Sequence, residues 1–192
     1  YHSNQLEESL EGSDCVILGI SSEGFAAVFD RLLEVLDENK PVISLTKGFV
    51  KNGNAIERVS VHAGKAYRER CPAGNLPWAS IGGPVKAVEL SNRIPTHSVY
   101  GTNEHFPKEL ISGIPTDYYR VSVTDDVAGV ELGSALKNAY AIALGICDGK
   151  YGEKHDFYDN IKAFLLAESA VEMTRITVAA GGRAETANYL AG

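Results

Sequence analysis

The sequence lacks the features that mark nucleic-acid-binding proteins and membrane-spanning proteins. Its 192 residues contain no cluster of lysine and arginine, and a formal net charge of -7 gives a pI of about 5.2. A chain of this charge has no electrostatic attraction for a phosphate backbone, so we expect no nucleic-acid partner. No apolar run approaches the roughly 20 residues that a membrane-spanning helix needs, so we expect no membrane partner.

Cysteine is also scarce. The three cysteines, Cys15, Cys71 and Cys147, are widely separated. An odd number of scattered cysteines gives no disulfide framework and fits a reducing compartment, which favours a cytoplasmic location. The five histidines are equally dispersed, and no cysteine has a histidine or a second cysteine at the spacing of a metal site. We therefore predict no metal site.

Between residues 14 and 123 the sequence alternates strand-like and helix-like segments. The strand-like segments are DCVILGI, PVISLTKG, WASIGG, THSVYG and YRVSV. Helical patterns lie between them, including one near 54–69 and a short one from about residue 84. Apolar strands that alternate with helices indicate an α/β fold with a mostly parallel sheet covered on both faces.

From residue 126 onward the pattern changes to helices alone. Residues 127–146 carry apolar side chains on every side of the predicted helix, so we expect it to be buried all round. A glycine-rich loop over 146–160 and a second long helix ending at Gly181 and Gly182 should follow. The change of pattern predicts two domains, residues 1–125 and residues 126–192, the second entirely helical.

A single lysine, Lys137, lies in the middle of the apolar helix and is followed directly by Asn138. Burial disfavours a charged ammonium and lowers its pKa. A lysine with a lowered pKa can donate and accept a proton near neutral pH. Two structural alternatives stay open: the side chain reaches out to solvent, or it forms an ion pair with Glu131.

Two strand ends in the first half favour ligand binding, because ligands of open α/β sheets gather beyond the carboxyl ends of the strands. One strand ends in Leu-Thr-Lys-Gly, which puts Lys47 at this edge, and another ends at Gly82, Gly83 and Pro84. The glycines permit a close backbone approach, and Pro84 suits a first helical turn. Taken singly, each segment is ordinary turn chemistry.

The segments LTKG, GGPVKAVEL, DVAGVELGSALKNAYAIALG, NIKAFLLAESAVEM and ETANYLAG, in this order, resemble NAD-dependent glycerol-3-phosphate dehydrogenase over almost the whole chain. The resemblance implies an incomplete Rossmann-like nucleotide-binding domain followed by a helical substrate domain. It implies an oxidoreductase that interconverts glycerol 3-phosphate and dihydroxyacetone phosphate by hydride transfer with NAD or NADP. The partner would be a phosphorylated three-carbon substrate, and a homodimer is possible.

The resemblance also assigns roles to individual residues. It implies that Lys137 is the general acid and base and that Asn138 and Gly83 bind the substrate. Lys47 would bind both substrate and cofactor, and Ala87 and Ser22 would bind the cofactor. Val85, Lys86 and Glu168 depart from the family pattern, so a divergent branch with an altered substrate is one possibility.

The sequence contains no G-x-G-x-x-G loop, the element that cradles a dinucleotide pyrophosphate. It also ends before the family's substrate-phosphate segment. We therefore expect these 192 residues by themselves to bind NAD(H) weakly and to be inert. Two other functions stay open: a related Lys-Asn reductase of the ketopantoate reductase or β-hydroxyacid dehydrogenase type, and a non-catalytic interaction module.

Overall fold

The computed structural model describes residues 5–151 and 159–191. Strands and helices alternate as far as Thr124. The strands are β1 (Val16–Leu18), β2 (Val42–Ser44), β3 (Phe49–Asn52), β4 (Ala55–Arg58), β5 (Trp78–Gly82), β6 (Thr96–Thr102) and β7 (Tyr119–Thr124). The helices of this part are α1 (Leu6–Leu10), α2 (Phe25–Leu33), α3 (Val59–Arg70), α4 (Ala87–Ser91) and α5 (Glu109–Ser112).

Five of the strands form one sheet in the order β1-β2-β5-β6-β7. Neighbouring strands are parallel except β5 and β6, which are antiparallel. The predicted α/β fold with a mostly parallel sheet is therefore confirmed. Because β1, β2 and β5 run in the same direction, their carboxyl ends meet at one edge, and Lys47 and Gly83 follow two of these ends.

Helices cover both faces of the sheet. On one face, Phe25 and Phe29 of α2 stack with ring centroids 5.2 Å apart and meet Trp78 of β5 edge-on, at 6.3 Å and 6.2 Å. On the other face, Ile111 of α5 packs with Ile43 of β2 in a second buried cluster. Burial on both faces is complete in β2, whose three residues are all buried.

The helix predicted near 54–69 is correct only in its second part. Residues 49–58 form the antiparallel β3–β4 hairpin, and α3 begins at Val59. The two-residue loop between the hairpin strands is Gly53-Asn54, and Gly53 has a left-handed φ of 57°. A glycine in a two-residue loop favours a hairpin because it adopts positive φ without steric cost.

After Thr124 the described residues form helices and no strand. These are α6 (Val127–Tyr151), α7 (Asp159–Ala179) and α8 (Ala184–Ala191). Helix α7 ends near the predicted glycines: Gly181 has φ 90°, and the Gly182 N–H donates to the Thr177 carbonyl at 2.9 Å. Such a left-handed glycine is a common helix ending.

Helix α6 differs from the prediction in length and in burial. It continues to Tyr151, into the predicted loop, of which 152–158 lie outside the described residues. It is not buried all round, because Ile142 is 66% exposed and Ile146 is 65% exposed, whereas Val130 is fully buried. The first turns pack on the sheet and α8, and the second half lines a cavity together with α7.

Asp126 fixes the start of α6. Its Oδ1 accepts a hydrogen bond from the Gly129 N–H at 2.8 Å, which is the usual N-cap contact. Its Oδ2 accepts a second bond from the Arg183 N–H at 2.7 Å, just before α8. One buried carboxylate therefore caps α6 and also ties down the connection between α7 and α8.

We predict that Asp126→Ala lowers the free energy of unfolding by about 2–3 kcal/mol, since it removes a cap and leaves two backbone N–H groups without their acceptor. The control is Asp125→Ala, which removes an exposed carboxylate paired with the Arg183 side chain and should change stability little. Urea denaturation of both variants measures the difference. Equal losses would contradict the capping role.

Candidate active site

A cleft of about 330 Å³ opens where the carboxyl ends of β2 and β5 meet α6. Lys47 and Gly83 line it from the strand ends, and Ser134, Lys137 and Asn138 line it from one face of α6. The four residues that the resemblance assigned to catalysis and substrate therefore share one cavity. Ser134 was not singled out from the sequence.

The two strand ends are in direct contact. Lys47 is exposed, and its ammonium donates a hydrogen bond to the Gly83 carbonyl oxygen at 3.4 Å. Gly83 has φ 134°, and a Cβ at this position would lie 2.8 Å from the His97 carbonyl oxygen, so only glycine fits. The sequence predicted Pro84 in the first turn of a helix. This prediction is wrong, because α4 begins at Ala87.

Lys137 is partly buried, and the pKa of its ammonium is lowered. Burial is the main cause, and the positive charge of Lys47 is the second. The lysine side chain also lines a small cavity of about 100 Å³ between α6 and α7, whose wall is largely apolar and includes Tyr140 and Met173. This apolar surface withholds water from the ammonium, which disfavours its charged form. Asn138, the next residue, is exposed.

The proposed ion pair between Lys137 and Glu131 is absent from the described part of the chain. Glu131 is buried and faces elsewhere: it accepts hydrogen bonds from the Ser60 N–H at 2.8 Å, from Ser60 Oγ at 2.6 Å and from Ser80 Oγ at 2.9 Å. Arg58 adds an ion pair at 3.3 Å. Burial raises the pKa of Glu131, and these donors oppose the rise.

Glu131 thereby joins α6 to the first turn of α3 and to β5. Lys137 follows on the same helix six residues later. From the sequence, Glu131 was expected only as a partner for Lys137, and these contacts were not predicted. A carboxylate in an otherwise apolar helix was the available signal, because buried polar groups are almost always hydrogen-bonded.

Ala87 and Ser22, which were predicted to bind only the cofactor, do not line the cleft. Ala87 lines a neighbouring cavity of about 350 Å³, and Lys47 and Gly83 line both cavities, so the two share a wall. Ser22 lies beside Gly48, where an added Cβ would be 3.4 Å from Ser22 Oγ. The apolar wall of the second cavity includes Ile17, Leu45 and Ile81.

Within residues 5–151 and 159–191, no group of three or more His, Cys, Asp or Glu side chains is arranged to hold a metal ion. In the same residues, no helix is both long and apolar enough to cross a membrane.

Comparison with known families identifies the chain. Residues 1–106 match the model of the NAD-dependent glycerol-3-phosphate dehydrogenase N-terminus, and residues 126–192 match the model of the C-terminus of the same enzymes. The chain belongs to the NAD-dependent glycerol-3-phosphate dehydrogenase family. The resemblance seen in the sequence is thus confirmed.

Curated relatives in this family cover nearly the whole chain. It is 33% identical over 189 residues to an NAD(P)+ glycerol-3-phosphate dehydrogenase of Coxiella burnetii, covering 97% of this chain and 52% of the relative. It is 32% identical over 192 residues to an NADP(+)-dependent glycerol-3-phosphate dehydrogenase of Archaeoglobus fulgidus, covering 98% of this chain and 55% of the relative. The chain spans about half the length of these relatives.

Solved structures give the same picture. A crystal structure of glycerol-3-phosphate dehydrogenase from Coxiella burnetii superposes with a TM-score of 0.82 at 32% identity, over 97% of this chain and 54% of that one. The Saccharomyces cerevisiae enzyme superposes with a TM-score of 0.80 at 21% identity, over 97% of this chain and 53% of that one, which bears on the fold alone.

The lowered pKa of Lys137 predicts that its ammonium loses a proton at a lower pH than the exposed lysines do. Lys47→Met removes the nearby positive charge and should raise the pKa of Lys137 toward its usual value. Lys51→Met, which removes an exposed lysine from the hairpin, is the control and should leave it unchanged. NMR titration of ¹³C-methylated lysines measures each pKa. A Lys137 pKa equal to those of the exposed lysines would contradict this assignment.

The same pKa shift predicts a dependence of stability on pH. The folded-state pKa lies below the unfolded value of about 10.4, so charged Lys137 destabilises the fold at pH values below its folded pKa. This cost disappears as the pH rises from the folded pKa to the unfolded pKa. The stability of the unmodified chain relative to Lys137→Met should therefore rise with pH in that window, as measured by urea denaturation. A flat difference would argue against the shift.

Proposed function

We propose that this protein interconverts glycerol 3-phosphate and dihydroxyacetone phosphate, with NAD or NADP as the hydride carrier. The observation that carries the proposal is the meeting of Lys137, Asn138 and Lys47 in one cleft of a chain from this dehydrogenase family. The lowered pKa of Lys137 supports it, because acid–base catalysis is most efficient when the catalytic pKa approaches the working pH.

In this proposal Lys137 is the general acid and base. During reduction its Nζ gives a proton to the ketone oxygen of dihydroxyacetone phosphate while the adjoining carbon receives a hydride. During oxidation the neutral amine takes the proton from the corresponding hydroxyl as the hydride leaves. The nicotinamide, when bound, supplies or accepts that hydride. A lowered pKa suits both directions, because the amine and ammonium forms are then both accessible.

The charge of the cleft favours a phosphorylated substrate. The charged residues that line the cleft are Lys47, Lys86, Lys137 and Glu89, and Lys86 forms an ion pair with Glu89 at 3.3 Å. The ammonium groups of Lys47 and Lys137 attract an anion, and its binding relieves the repulsion between them. An ammonium has three donors, and Lys47 uses one of them on Gly83, so the others are available to an oxyanion. Asn138 offers both a donor and an acceptor to a hydroxyl of the substrate.

The neighbouring cavity is proposed for the nicotinamide end of the cofactor. Its apolar wall suits a flat ring, Ala87 has a small side chain, and Gly82 and Gly83 allow a close approach of the backbone. It shares Lys47 and Gly83 with the substrate cleft, which would keep the two reactants adjacent. A contact from Ser22 and the choice between NAD and NADP stay predictions.

The alternatives differ in what supports them. A related Lys-Asn reductase would use the same two lysines on a carboxylate, but the family match favours the phosphorylated substrate. An interaction function is supported by apolar side chains exposed on α6 and α7, such as Ile142 and Phe164. That surface also fits the predicted homodimer. A homodimer, a cytoplasmic location and the division into two domains at residue 125 belong to the proposal.

We predict that Lys137→Ala lowers turnover about 10²–10⁴-fold, the usual contribution of a general acid and base. Its stability should change little, because a partly buried charge without an ion partner is not a net stabiliser. Lys47→Ala should raise KM and lower kcat together, since this residue is proposed to position substrate and cofactor. The matched control is Lys51→Ala on the hairpin, which should keep the activity of the unmodified enzyme.

The assay is the reduction of dihydroxyacetone phosphate by NADH and by NADPH in the full-length protein, with ketopantoate as the competing substrate. Near-normal turnover of Lys137→Ala would show that Lys137 is not the general acid and base. Faster reduction of ketopantoate than of dihydroxyacetone phosphate would favour the related reductase.

A further inference from the structure

Ser134 has a hydroxyl without a hydrogen-bond partner among the described residues. The residue is only 6% exposed, yet it lines the substrate cleft together with Lys137 and Asn138. A buried hydroxyl normally finds a partner, because losing water without replacing its hydrogen bonds costs free energy. The orphan hydroxyl therefore needs an explanation.

Helical serines and threonines usually satisfy their hydroxyl through the carbonyl one turn earlier. Two residues of α7 do so: Ser169 donates to the Leu165 carbonyl at 2.6 Å, and Thr174 donates to the Ala170 carbonyl at 2.8 Å. Ser134 makes no such bond. Its hydroxyl is therefore a donor that no described residue uses, in a residue that forms part of the cleft wall.

The surroundings of Ser134 leave room for this hydroxyl. Ser134 precedes Lys137 by three residues and Asn138 by four, which puts the three side chains on one face of α6. Gly82 of β5 lies beneath it, and a Cβ on Gly82 would come within 2.5 Å of Ser134 Oγ. The absence of a side chain at Gly82 is what lets the serine occupy this place.

We propose that Ser134 is a substrate-binding residue that donates a hydrogen bond to an oxygen of the three-carbon chain, beside the oxygen on which Lys137 acts. This inference rests on the proposed function. The uncharged end of the substrate belongs at Ser134 because Ser134 is buried, whereas Lys47 is exposed and suits the hydrated phosphate.

The test compares two probes, glycerol 3-phosphate and inorganic phosphate, by calorimetric titration of the full-length protein. Ser134→Ala should weaken glycerol 3-phosphate binding by roughly 3- to 10-fold, the usual effect of losing one neutral hydrogen bond. It should leave inorganic phosphate binding unchanged. The melting temperature without ligand should stay the same or rise, because an unpaired buried hydroxyl is removed. Ser134→Cys, which keeps the shape of the side chain but is somewhat larger and donates poorly, should repeat the result.

Thr177→Val is the matched control. Thr177 is fully buried on α7, its hydroxyl also has no partner within the described ranges, and it does not line the cleft. This variant should not lose stability either, but it should bind glycerol 3-phosphate like the unmodified protein. Replacing a hydroxyl whose role is purely structural would lower stability without changing affinity. Neither Ser134→Ala nor Thr177→Val should show this combination.

Three results would overturn the proposal. If the unmodified protein and both Ser134 variants bind glycerol 3-phosphate equally well, Ser134 does not contact the substrate. The proposed function is unaffected by that result. Equal weakening of both probes assigns Ser134 to the phosphate instead of the carbon chain. No binding of glycerol 3-phosphate by the unmodified protein ends this inference together with the proposed function.

Discussion

The carboxylate of Glu131 holds α6 against the sheet, and the position of the cleft residues on that helix depends on it. An ionised carboxylate is tolerated inside a protein only when donors replace the water that it loses. Ser60, Ser80 and Arg58 supply those donors from α3, β5 and the end of the hairpin. A shift of the helix by one residue would move the carboxylate about 1.5 Å along the axis and turn it by about 100°. It would then be buried without partners, so the register of α6 is strongly fixed.

The same contacts set the electrostatics of the cleft. Arg58 and the two serines already pair with the carboxylate of Glu131. Its negative charge is therefore not available to Lys137, although the two residues share a helix. Lys137 instead faces an apolar wall and the positive charge of Lys47, and both lower its pKa. Two cations near each other are unfavourable in the free protein, and an anionic ligand relieves that cost on binding.

The sequence predicted the mostly parallel sheet and the helical second half, because apolar periodicity reports directly on local structure. A common site for Lys47 and Lys137 was implied by the family resemblance and not by the periodicity. The predictions were wrong or incomplete where burial or pairing depends on another element of the structure. Apolar residues such as Ile142 predict burial, but periodicity does not say which element covers them, and α7 covers only part of α6. The hairpin was missed although Gly53-Asn54 is a recognised two-residue loop, because the flanking residues also fit a helix. The contacts of Glu131 were beyond reach, since Ser60 and Ser80 are far from it in sequence.

Two polar residues on the sheet-facing side of α6 show how function can be read from unmet hydrogen bonds. Glu131 has every partner that a buried carboxylate needs, and its role is therefore explained by the fold itself. Ser134 lies one turn further along, equally buried, with none among the residues described. Ser169 and Thr174 of α7 turn their hydroxyls to their own backbone, and Ser134 does not. Thr177 also has a hydroxyl that no described residue pairs with, so it is the position of Ser134 in the cleft wall that sets it apart. The same helix thus carries a satisfied group that positions the site and an unsatisfied one that leaves a hydrogen bond for the ligand.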